Sequence, residues 1–330
     1  MRKAYIIVFE EDCYNSMFEA MFHDLQNDPD VYFVMERSCP NSAKYRYLRS
    51  KKLNKLTLGL SELVYRKTIW NYYKLPGLIR KLKREYDHVS VLFHNAALRK
   101  PRYPASFFIT FRKWAALNLL YMDVHEHLYV CKEANALCDQ GVFDKVFTID
   151  PGDAEKYGMH LCRTPYSRII EKEAPKPNKH LYFCGYEAGR AYILYNVWKQ
   201  AGRHEVELAY DLGYAEQFKD FFEGDPNIHF TEHLAYEEVL KRELSSLCML
   251  DITQKGQSAL TLRPYEAVVY NKKLLTNNEN IKQFKYYDGR YMKVFQKAED
   301  IDWEWVKADI PVEYGYEGDF SPTHMLEELA

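Results

Sequence analysis

The 330-residue sequence predicts an α/β protein made of two successive domains, each with a parallel sheet. Short apolar runs alternate with stretches of helical periodicity in both halves, which is typical of strands joined by crossover helices. A charged segment with two prolines, residues 171–180, separates the halves and predicts a linker. The length corresponds to two domains of ~150 residues.

In the first half, the spacing of apolar residues separates strands from helices. Strands are predicted at residues 4–9, 31–35, 88–95, 106–111 and 145–150. Helices are predicted at residues 15–25, 60–85 and 114–139, and a short one after Pro151. Asp150 precedes that proline and is expected to cap the turn. The opening β-α-β order predicts a Rossmann-like domain over residues 1–170.

The alternation restarts after the linker. Strands are predicted at residues 181–186, 205–210, 247–252 and 273–278, and helices at residues 188–201, 235–246 and 262–270. Ser321 is expected to cap a last helix that has Pro322 at its first position. Residues 181–330 therefore form a second Rossmann-like domain, in which we include the terminal helix.

Composition and residue patterns argue against a transmembrane protein, a secreted protein and a disulfide-rich protein. With 47% hydrophobic and 28% charged residues, the chain is an ordinary globular protein. It has no run of 18 uncharged apolar residues, and Glu10, Glu11 and Asp12 end the first apolar run too early for a signal peptide. The seven cysteines are scattered without a C-x-x-C pair, as is typical of reduced cysteines in a cytosolic protein. We therefore expect a cytoplasmic location.

Positive charge is concentrated between Arg37 and Lys113. This segment has 19 Lys and Arg against 3 Asp and Glu, a local balance of about +16. It predicts an anionic partner, either phosphate, a membrane surface or nucleic acid. A solvated face without a partner is the alternative. Docking on anionic lipid headgroups would place the protein peripherally on the inner face of the membrane. Nucleic acid fits the charge equally well, but no nucleic-acid motif accompanies it, so none is expected as a partner.

Residues 247–281 contain a strand, then GQSALTLRPYEA, a helix and KKLLTNN. This pattern resembles the donor-binding segment of GT-B glycosyltransferases, most of all the small ones encoded in bacterial capsule and lipopolysaccharide clusters. The phrase VFTIDPGDAEKYGMHLCRTPYS at 146–167 is similar to their inter-domain phrase. The resemblance covers the second half well and the basic region poorly. It implies two Rossmann-like domains that face a cleft.

The resemblance implies a site for a UDP- or GDP-linked sugar, which is a substrate, so no cofactor is expected. Glu266 would accept the ribose hydroxyls, and the diphosphate would be bound by the residues Gly185, Arg190, Gln257, Ser258, Thr261 and Arg263. Gly256 after the strand allows close backbone approach, and short donors near a helix start favour phosphate. Retaining members usually carry glutamates eight positions apart. Ser258 stands at the first of these positions, so inverting and retaining chemistry both stay open.

Candidates from the first half follow its predicted strands. His94 ends one strand and, by the resemblance, would contact the transferred sugar; local hydrogen bonding is the alternative. Asp12 follows the first strand and would act as the base of an inverting enzyme, or lie in a solvated loop. The His125–Glu126–His127 triplet is a poor metal site because i, i+2 spacing separates the two rings on a helix. We expect no metal.

These observations predict a metal-independent glycosyltransferase of hexosyltransferase type. It would move a sugar from a nucleotide sugar to a surface-polysaccharide or lipid-linked acceptor. Another nucleotide-sugar enzyme of this fold, such as an epimerase, is one alternative. A non-catalytic GT-B-like module of a polysaccharide assembly complex is another, and a basic nucleic-acid-binding protein is the third. Binding of a nucleotide would separate the two enzymes and the GT-B-like module from the nucleic-acid-binding protein. Turnover of a nucleotide sugar would then separate the enzymes from the module.

Overall fold

The computed structural model describes residues 1–10, 15–36, 56, 74–98, 105–170, 176–187, 189–231, 234–254, 257 and 259–329. The chain divides into two compact units. Unit 1 comprises Met1–Phe18, Phe22–Pro165 and Pro322–Ala330, and unit 2 comprises Glu19–Met21 and Tyr166–Ser321. The main division thus falls before the predicted linker, of which residues 171–175 lie outside the described residues.

Unit 1 contains a six-stranded sheet in the order β2-β1-β3-β4-β5-β6, with all neighbours parallel. The strands are β1 (Lys3–Glu10), β2 (Val31–Glu36), β3 (His88–His94), β4 (Ala116–Tyr121), β5 (Lys145–Thr148) and β6 (His160–Leu161). Every residue of β3 after His88 is buried. Such continuous burial is typical of a parallel strand covered on both faces, which is why its sequence is an unbroken apolar run.

The first helix, α1 (Asn15–Met21), begins in unit 1, and its last three residues belong to unit 2. Four further helices of unit 1 are α2 (Lys74–Glu85), α3 (Ala105–Phe111), α4 (Leu128–Cys138) and α5 (Pro151–Tyr157). In α2, Leu75, Ile79 and Leu82 recur at helical spacing and are fully buried, while its lysines and arginines are exposed. The first turn of α5 is capped as predicted, since the Asp150 carboxylate accepts a hydrogen bond of 3.0 Å from the Asp153 amide.

Two sequence predictions in unit 1 are wrong. Residues 106–111 belong to a helix and not to a strand, because Phe107, Phe108 and Phe111 pack into one core cluster at helical spacing despite their strand propensity. Residues 114–139 are not one helix. Residues 116–121 form the buried strand β4 before α4 begins at Leu128. A short apolar run buried on both faces has no two-residue period and cannot be told from a helix.

Unit 2 contains a second six-stranded parallel sheet in the order β12-β11-β10-β7-β8-β9. The strands are β7 (Lys179–Tyr186), β8 (Leu208–Gly213), β9 (Ile228–Thr231), β10 (Ser246–Asp251), β11 (Lys273–Thr276) and β12 (Met292–Val294). The helices are α6 (Ala191–Arg203), α7 (Tyr236–Leu244), α8 (Arg263–Val269) and α9 (Trp303–Lys307). The strands and helices predicted for residues 181–278 are all present, with shifted ends.

Short 3₁₀ segments complete both units. They span His23–Leu25, Asn95–Leu98, Glu216–Phe222, Glu279–Gln283 and Ala298–Asp300.

The terminal helix α10 (Thr323–Glu328) corrects two sequence predictions. Its cap position is Pro322, without a side-chain cap, so Ser321 is not its N-cap. The helix also belongs to unit 1 and not to the second domain. Two hydrogen bonds hold this end of the chain to unit 1, from Ser90 Oγ to the Leu329 carbonyl and from Lys145 Nζ to the Glu328 carbonyl.

Each sheet has a point at which the strand order reverses. In unit 2 the chain leaves β7 through β8 to β9 on one side, then returns to place β10 on the other side of β7. In unit 1, β1 is flanked by β2 and β3 in the same way. Ligands of open α/β sheets bind beyond the carboxyl ends of the two strands that flank this point. Among the described helices, none is long and apolar enough to cross a membrane.

Candidate functional site

Arg190 lies just beyond the carboxyl end of β7. Its guanidinium donates from Nη1 to the Ile252 carbonyl at 2.8 Å, from Nε to the Glu187 carbonyl at 3.4 Å, and from Nη2 to the Tyr186 carbonyl. The carbonyls come from the last residue of β7 and from the turns after β7 and β10, so the guanidinium joins the two strands at the reversal point. Burial lowers the pKa of Arg190, against the attraction of Asp251 and Glu187. The arginine stays charged at neutral pH.

Gly185 makes room for this arginine. A Cβ at residue 185 would lie 3.0 Å from the Phe183 ring and 3.4 Å from Arg190 Nη2. Gly189 has a φ of 81°, a backbone conformation that side chains disfavour. Glycine is thus favoured at residues 185 and 189 for two different structural reasons. The first permits close approach, and the second permits the turn that leads into α6.

Asp251 ends β10 and organises the turn that follows. Its Oδ1 accepts from Thr261 Oγ1 and its Oδ2 from Thr276 Oγ1, both at 2.8 Å. Burial raises the pKa of Asp251, while the two threonine hydrogen bonds and the charges of Arg263 and Arg190 lower it. Thr261 Oγ1 also accepts from the Arg263 amide at 3.2 Å. Asp251 therefore fixes the start of α8 relative to the sheet.

Arg263 lies between two buried glutamates. Its Nη1 donates to Glu243 Oε2 at 2.8 Å and to Glu266 Oε2, and its Nε lies 2.7 Å from Glu243 Oε1. The Arg263 side chain is 16% exposed, against 1% for Glu243 and 0% for Glu266. Its Nη2 has no hydrogen-bond partner among the described residues. The guanidinium is therefore held by the carboxylates through Nε and Nη1.

The two glutamates share one arginine, so the cluster holds one negative charge in excess if both are ionised. Burial raises the pKa of Glu243 well above its usual range, Arg263 opposes this, and Glu266 adds to it. Glu266 Oε1 accepts a 2.5 Å hydrogen bond from the Tyr236 hydroxyl, which lies 2.8 Å from the Tyr166 hydroxyl. Tyr236 therefore covers Glu266, and a ribose can reach this carboxylate only if Tyr236 or Arg263 moves.

The second-half candidates are thus brought together in unit 2. Arg190 Nη1 bonds the carbonyl of Ile252, next to Asp251, and Asp251 bonds Thr261, whose Oγ1 accepts from the Arg263 amide, so both arginines are connected to the end of β10. The Gln257 amide bonds the Gln254 carbonyl at 3.2 Å in the same turn. Ser258 and Gly256 lie outside the described residues. Few helix amides are left for an anion: Pro264 has none, and the Arg263 and Glu266 amides are bonded.

His94 lies at the carboxyl end of β3, at the reversal point of the unit 1 sheet. Its Nδ1 accepts from the Ala96 amide at 3.1 Å, so the neutral ring carries its proton on Nε2. The ring is 2% exposed, and its centroid lies 4.0 Å from that of Phe18. Next to it, the Asn95 amide donates to Asp123 at 2.9 Å and accepts from the Met122 amide at 3.0 Å. Asp12 lies outside the described residues.

Other titratable clusters serve local structure. His125 precedes α4 and its ring packs on Tyr157, with 3.9 Å between centroids, while Glu126 pairs with Lys156. Asp302 caps α9 and pairs with Lys293 at 2.6 Å. Within the described ranges, no group of three or more His, Cys, Asp or Glu is arranged to hold a metal ion.

A cavity of about 470 Å³ lies at the opposite edge of the unit 2 sheet. Lys179 and Leu208, at the amino ends of β7 and β8, line it together with Trp198 and Asp225. Trp198 Nε1 donates to Asp225 at 2.9 Å, and Lys179 Nζ to Asn227 at 2.8 Å. Since ligands of this fold bind at the carboxyl edge, we place the candidate site at Arg190 and Arg263 and not in this cavity.

Sequence reasoning missed the residues that hold the arginines in place. Asp251 had a visible signal, as an acid at the end of the apolar strand LCMLDI. Glu243 had none, because an acid within a charged helix usually faces solvent, and only the fold places it against Arg263. Tyr236 likewise gave no signal.

Comparison with solved structures places the chain among proteins of the GT-B type. A protein of Listeria monocytogenes assigned as a UDP-N-acetylglucosamine 2-epimerase matches over 99% of this chain and 95% of its own, with a TM-score of 0.52 and 11% identity. Together with the two parallel six-stranded sheets, this shows a GT-B-type fold with two Rossmann-like domains, and the predicted fold class is confirmed.

Two further structures have slightly lower scores. The S. aureus MnaA–UDP co-structure has a TM-score of 0.49 and 12% identity, over 100% of this chain and 98% of that chain. The UDP-GlcNAc 2-epimerase from Neisseria meningitidis bound to UDP-GlcNAc has the same score and identity, over 99% of both chains. No protein-family model matches the sequence, and no curated protein matches it either.

Proposed function

We propose that the protein is a glycosyltransferase that uses a nucleotide-sugar donor. The observation that carries the proposal is the position of Arg190 beyond the carboxyl end of β7, bonded to the turn after β10, with Arg263 at the start of the helix that follows this turn, in a GT-B-type fold. Two fixed cations at a strand-order reversal suit a diphosphate. Both guanidinium groups are held by protein acceptors before any ligand arrives, so little reorganisation is required when the leaving group gains charge.

The diphosphate is assigned to the N–H groups that the protein leaves available. Arg190 has carbonyl partners for three of its five N–H groups among the described residues, and Arg263 retains both at Nη2. Gln257, Ser258 and Thr261 lie on the turn between β10 and α8 and are proposed as further donors. Gly185 contributes by the space it leaves for Arg190.

Glu266 is proposed to accept the ribose hydroxyls. Its carboxylate is fully buried and bonded to Tyr236 and Arg263, so this role requires that nucleotide binding displaces the Tyr236 hydroxyl from Oε1. A ribose hydroxyl would take the place of the tyrosine hydroxyl, so the number of hydrogen bonds to the carboxylate is unchanged. Glu266 is therefore both a ligand contact and a partner of Arg263.

In the proposed reaction, the bond between the sugar's anomeric carbon and the diphosphate oxygen breaks, and its electron pair leaves with the nucleoside diphosphate. An acceptor hydroxyl oxygen bonds the anomeric carbon and loses its proton to a base. Asp12 is the proposed base if the enzyme inverts, and His94 is proposed to donate from Nε2 to a hydroxyl of the transferred sugar. No metal is required in this scheme, because the arginines stabilise the leaving group.

The acceptor is proposed to be a surface polysaccharide or a lipid-linked glycan. The described part of the basic segment supports docking on an anionic surface, because its helix α2 exposes the basic residues Lys74, Arg80, Lys81, Lys83 and Arg84. Residues 37–73, apart from Leu56, lie outside the described residues. Peripheral attachment to an anionic membrane would bring a lipid-phosphate-linked acceptor to a cytoplasmic enzyme.

The name of the Listeria protein favours a second candidate function, epimerisation of a UDP-linked sugar. A binding module without turnover is the third. One incubation with UDP-N-acetylglucosamine, followed by NMR, separates them. Transfer or hydrolysis releases UDP, and the anomeric signal gives the stereochemistry. Epimerisation inverts the configuration at C2. A non-catalytic module binds UDP but leaves UDP-N-acetylglucosamine unchanged.

We expect UDP or GDP release from a matching donor by the wild type, and its loss in Arg190→Met. Glu266→Gln is the informative variant at the second position, because it keeps the shape of the side chain, whereas Glu266→Ala also leaves Arg263 with one partner fewer. Binding of DNA without binding of UDP, GDP or CMP would refute the proposal.

A further inference from the structure

Two tyrosines, one partly buried and one exposed, form an aromatic pair beside the candidate site. Tyr186 ends β7 and lies opposite Gly213 in the register of β7 and β8, and Tyr214 follows directly. The ring centroids of Tyr186 and Tyr214 are 5.2 Å apart, and their planes differ by 36°. The Tyr214 side chain is 65% exposed, at the same carboxyl edge as Arg190.

Gly213 shapes this pair. A Cβ at residue 213 would lie 2.5 Å from Tyr186 Cδ1 and 2.8 Å from Cε1, so the ring rests directly on the backbone of β8. This close approach leaves no room for a side chain at residue 213. The Tyr186 carbonyl accepts from Arg190 Nη2, which places the pair next to the proposed diphosphate position.

Tyr214 has a backbone conformation that tyrosine disfavours. Its φ is 51°, in the left-handed region where glycine is the preferred residue. The ring is largely exposed and packs on Tyr186, so its burial offsets little of this backbone strain. Strained residues cluster at binding sites, where the strain positions a side chain for a ligand.

We propose that Tyr186 and Tyr214 form a stacking platform for a pyranose ring. A pyranose has a face of C–H groups and a rim of hydroxyls, and tyrosine offers an apolar face with a polar tip. The inference rests on the proposed function for its choice of occupant. With the ribose at Glu266 on the β10 side of Arg190, the group beyond the diphosphate falls on the β8 side, and that group is the donor sugar.

The test compares ligands with and without the sugar. Isothermal titration is carried out with UDP and UDP-N-acetylglucosamine, with GDP and GDP-mannose, and with chitotriose as a glycan without nucleotide. The variants are Tyr214→Gly and Tyr214→Phe. The control is Glu205→Gly, an exposed residue of unit 2 with a φ of 55°. We expect Tyr214→Gly to weaken the binding of the nucleotide sugar roughly two- to tenfold and to leave the affinity for the free nucleotide unchanged.

Stability separates binding from folding. Because glycine relieves the strained φ, the melting temperature of Tyr214→Gly should equal or exceed that of the wild type, as for Glu205→Gly, so weaker binding cannot reflect unfolding. Tyr214→Phe keeps the ring and should bind like the wild type. A loss confined to chitotriose supports the platform with an acceptor glycan as its occupant.

Equal affinities of wild type and Tyr214→Gly for every sugar-containing ligand would overturn the platform, as would an equal loss for UDP and UDP-N-acetylglucosamine. If the wild type binds neither nucleotide, the proposed function fails and the donor sugar is excluded as occupant. The platform is then judged on chitotriose alone: binding that depends on Tyr214 supports it, and no such binding overturns it.

Discussion

Replacing Arg263 with methionine tests whether the buried Glu243–Arg263–Glu266 cluster holds unit 2 together. The substitution keeps most of the side-chain volume and removes the only cation that directly pairs with both glutamates in the described structure. These carboxylates are 1% and 0% exposed. Removing one partner of a buried ion pair costs about 3–5 kcal/mol, because the remaining charge has neither water nor a counter-ion. We therefore expect Arg263→Met to lower the free energy of unfolding by about 3 kcal/mol or more at pH 7.

The same substitution should introduce a dependence on pH. Burial already raises the pKa of Glu243, and without Arg263 the pKa rises further. When the pKa of a carboxyl is higher in the folded than in the unfolded state, the folded protein binds the proton more tightly. The resulting contribution to the free energy of unfolding is complete below the usual carboxyl pKa of 4.5 and is lost as the pH rises through the pKa of the folded state. The deficit of Arg263→Met relative to the wild type should therefore be smaller at pH 5 than at pH 8.

Urea denaturation followed by circular dichroism measures both effects. Adding Glu243→Gln to Arg263→Met should recover at least ~1 kcal/mol at pH 8, since it removes one unpaired buried charge. Arg290→Met is the control, because Arg290 forms an exposed pair with Asp288 and should change little. A cost below ~1 kcal/mol for Arg263→Met, or no recovery in the double variant, would refute the argument.

Three further predictions concern other parts of the chain. Lys272 is 9% exposed, and burial lowers its pKa from 10.5 to about 8. In urea denaturation, Lys272→Met should therefore raise the free energy of unfolding by up to ~3 kcal/mol at pH 7 and hardly at all above pH 10.5. An equal gain at both pH values would contradict this. Gly213→Ala should cost about 1–3 kcal/mol in urea denaturation, because its Cβ meets the Tyr186 ring, and adding Tyr186→Ala should remove most of that cost. In flotation assays the wild type should bind vesicles with anionic lipid and not neutral vesicles, and replacing the α2 lysines with glutamine should weaken binding; equal binding to both vesicle types would exclude electrostatic docking.

The fold class could be predicted because its signal repeats along the chain. Alternation of apolar strands and amphipathic helices identifies a parallel α/β architecture even when single elements are misassigned. The errors fall where local sequence is ambiguous. Phe107, Phe108 and Phe111 suit a strand by propensity, and residues 116–121 suit a helix by apolar content. Tertiary packing decides both cases, and packing cannot be read from a short window.

The sequence was sufficient to select the two arginines of the candidate site, but not the residues that hold them in place. Arg190 and Arg263 could be selected because both follow a strand and a glycine-containing turn. Their fixed orientation depends on Glu243 from α7, Asp251 from β10 and the carbonyl of Ile252. These partners are distant in sequence from Arg190 and are chosen by the sheet order. The burial of Glu266 beneath Tyr236 also follows from the fold alone.

The central claim is that unit 2 binds a nucleotide at Arg190. The most direct measurement is isothermal titration of UDP and GDP into the wild type and Arg190→Met, with Lys179→Met as the control at the other end of β7. We expect one nucleotide to bind the wild type and Lys179→Met alike. Its affinity for Arg190→Met should be at least tenfold weaker, since a charged donor contributes about 1.5–3 kcal/mol. A wild type that binds neither nucleotide, or an Arg190→Met variant that binds as tightly as the wild type, would contradict the claim.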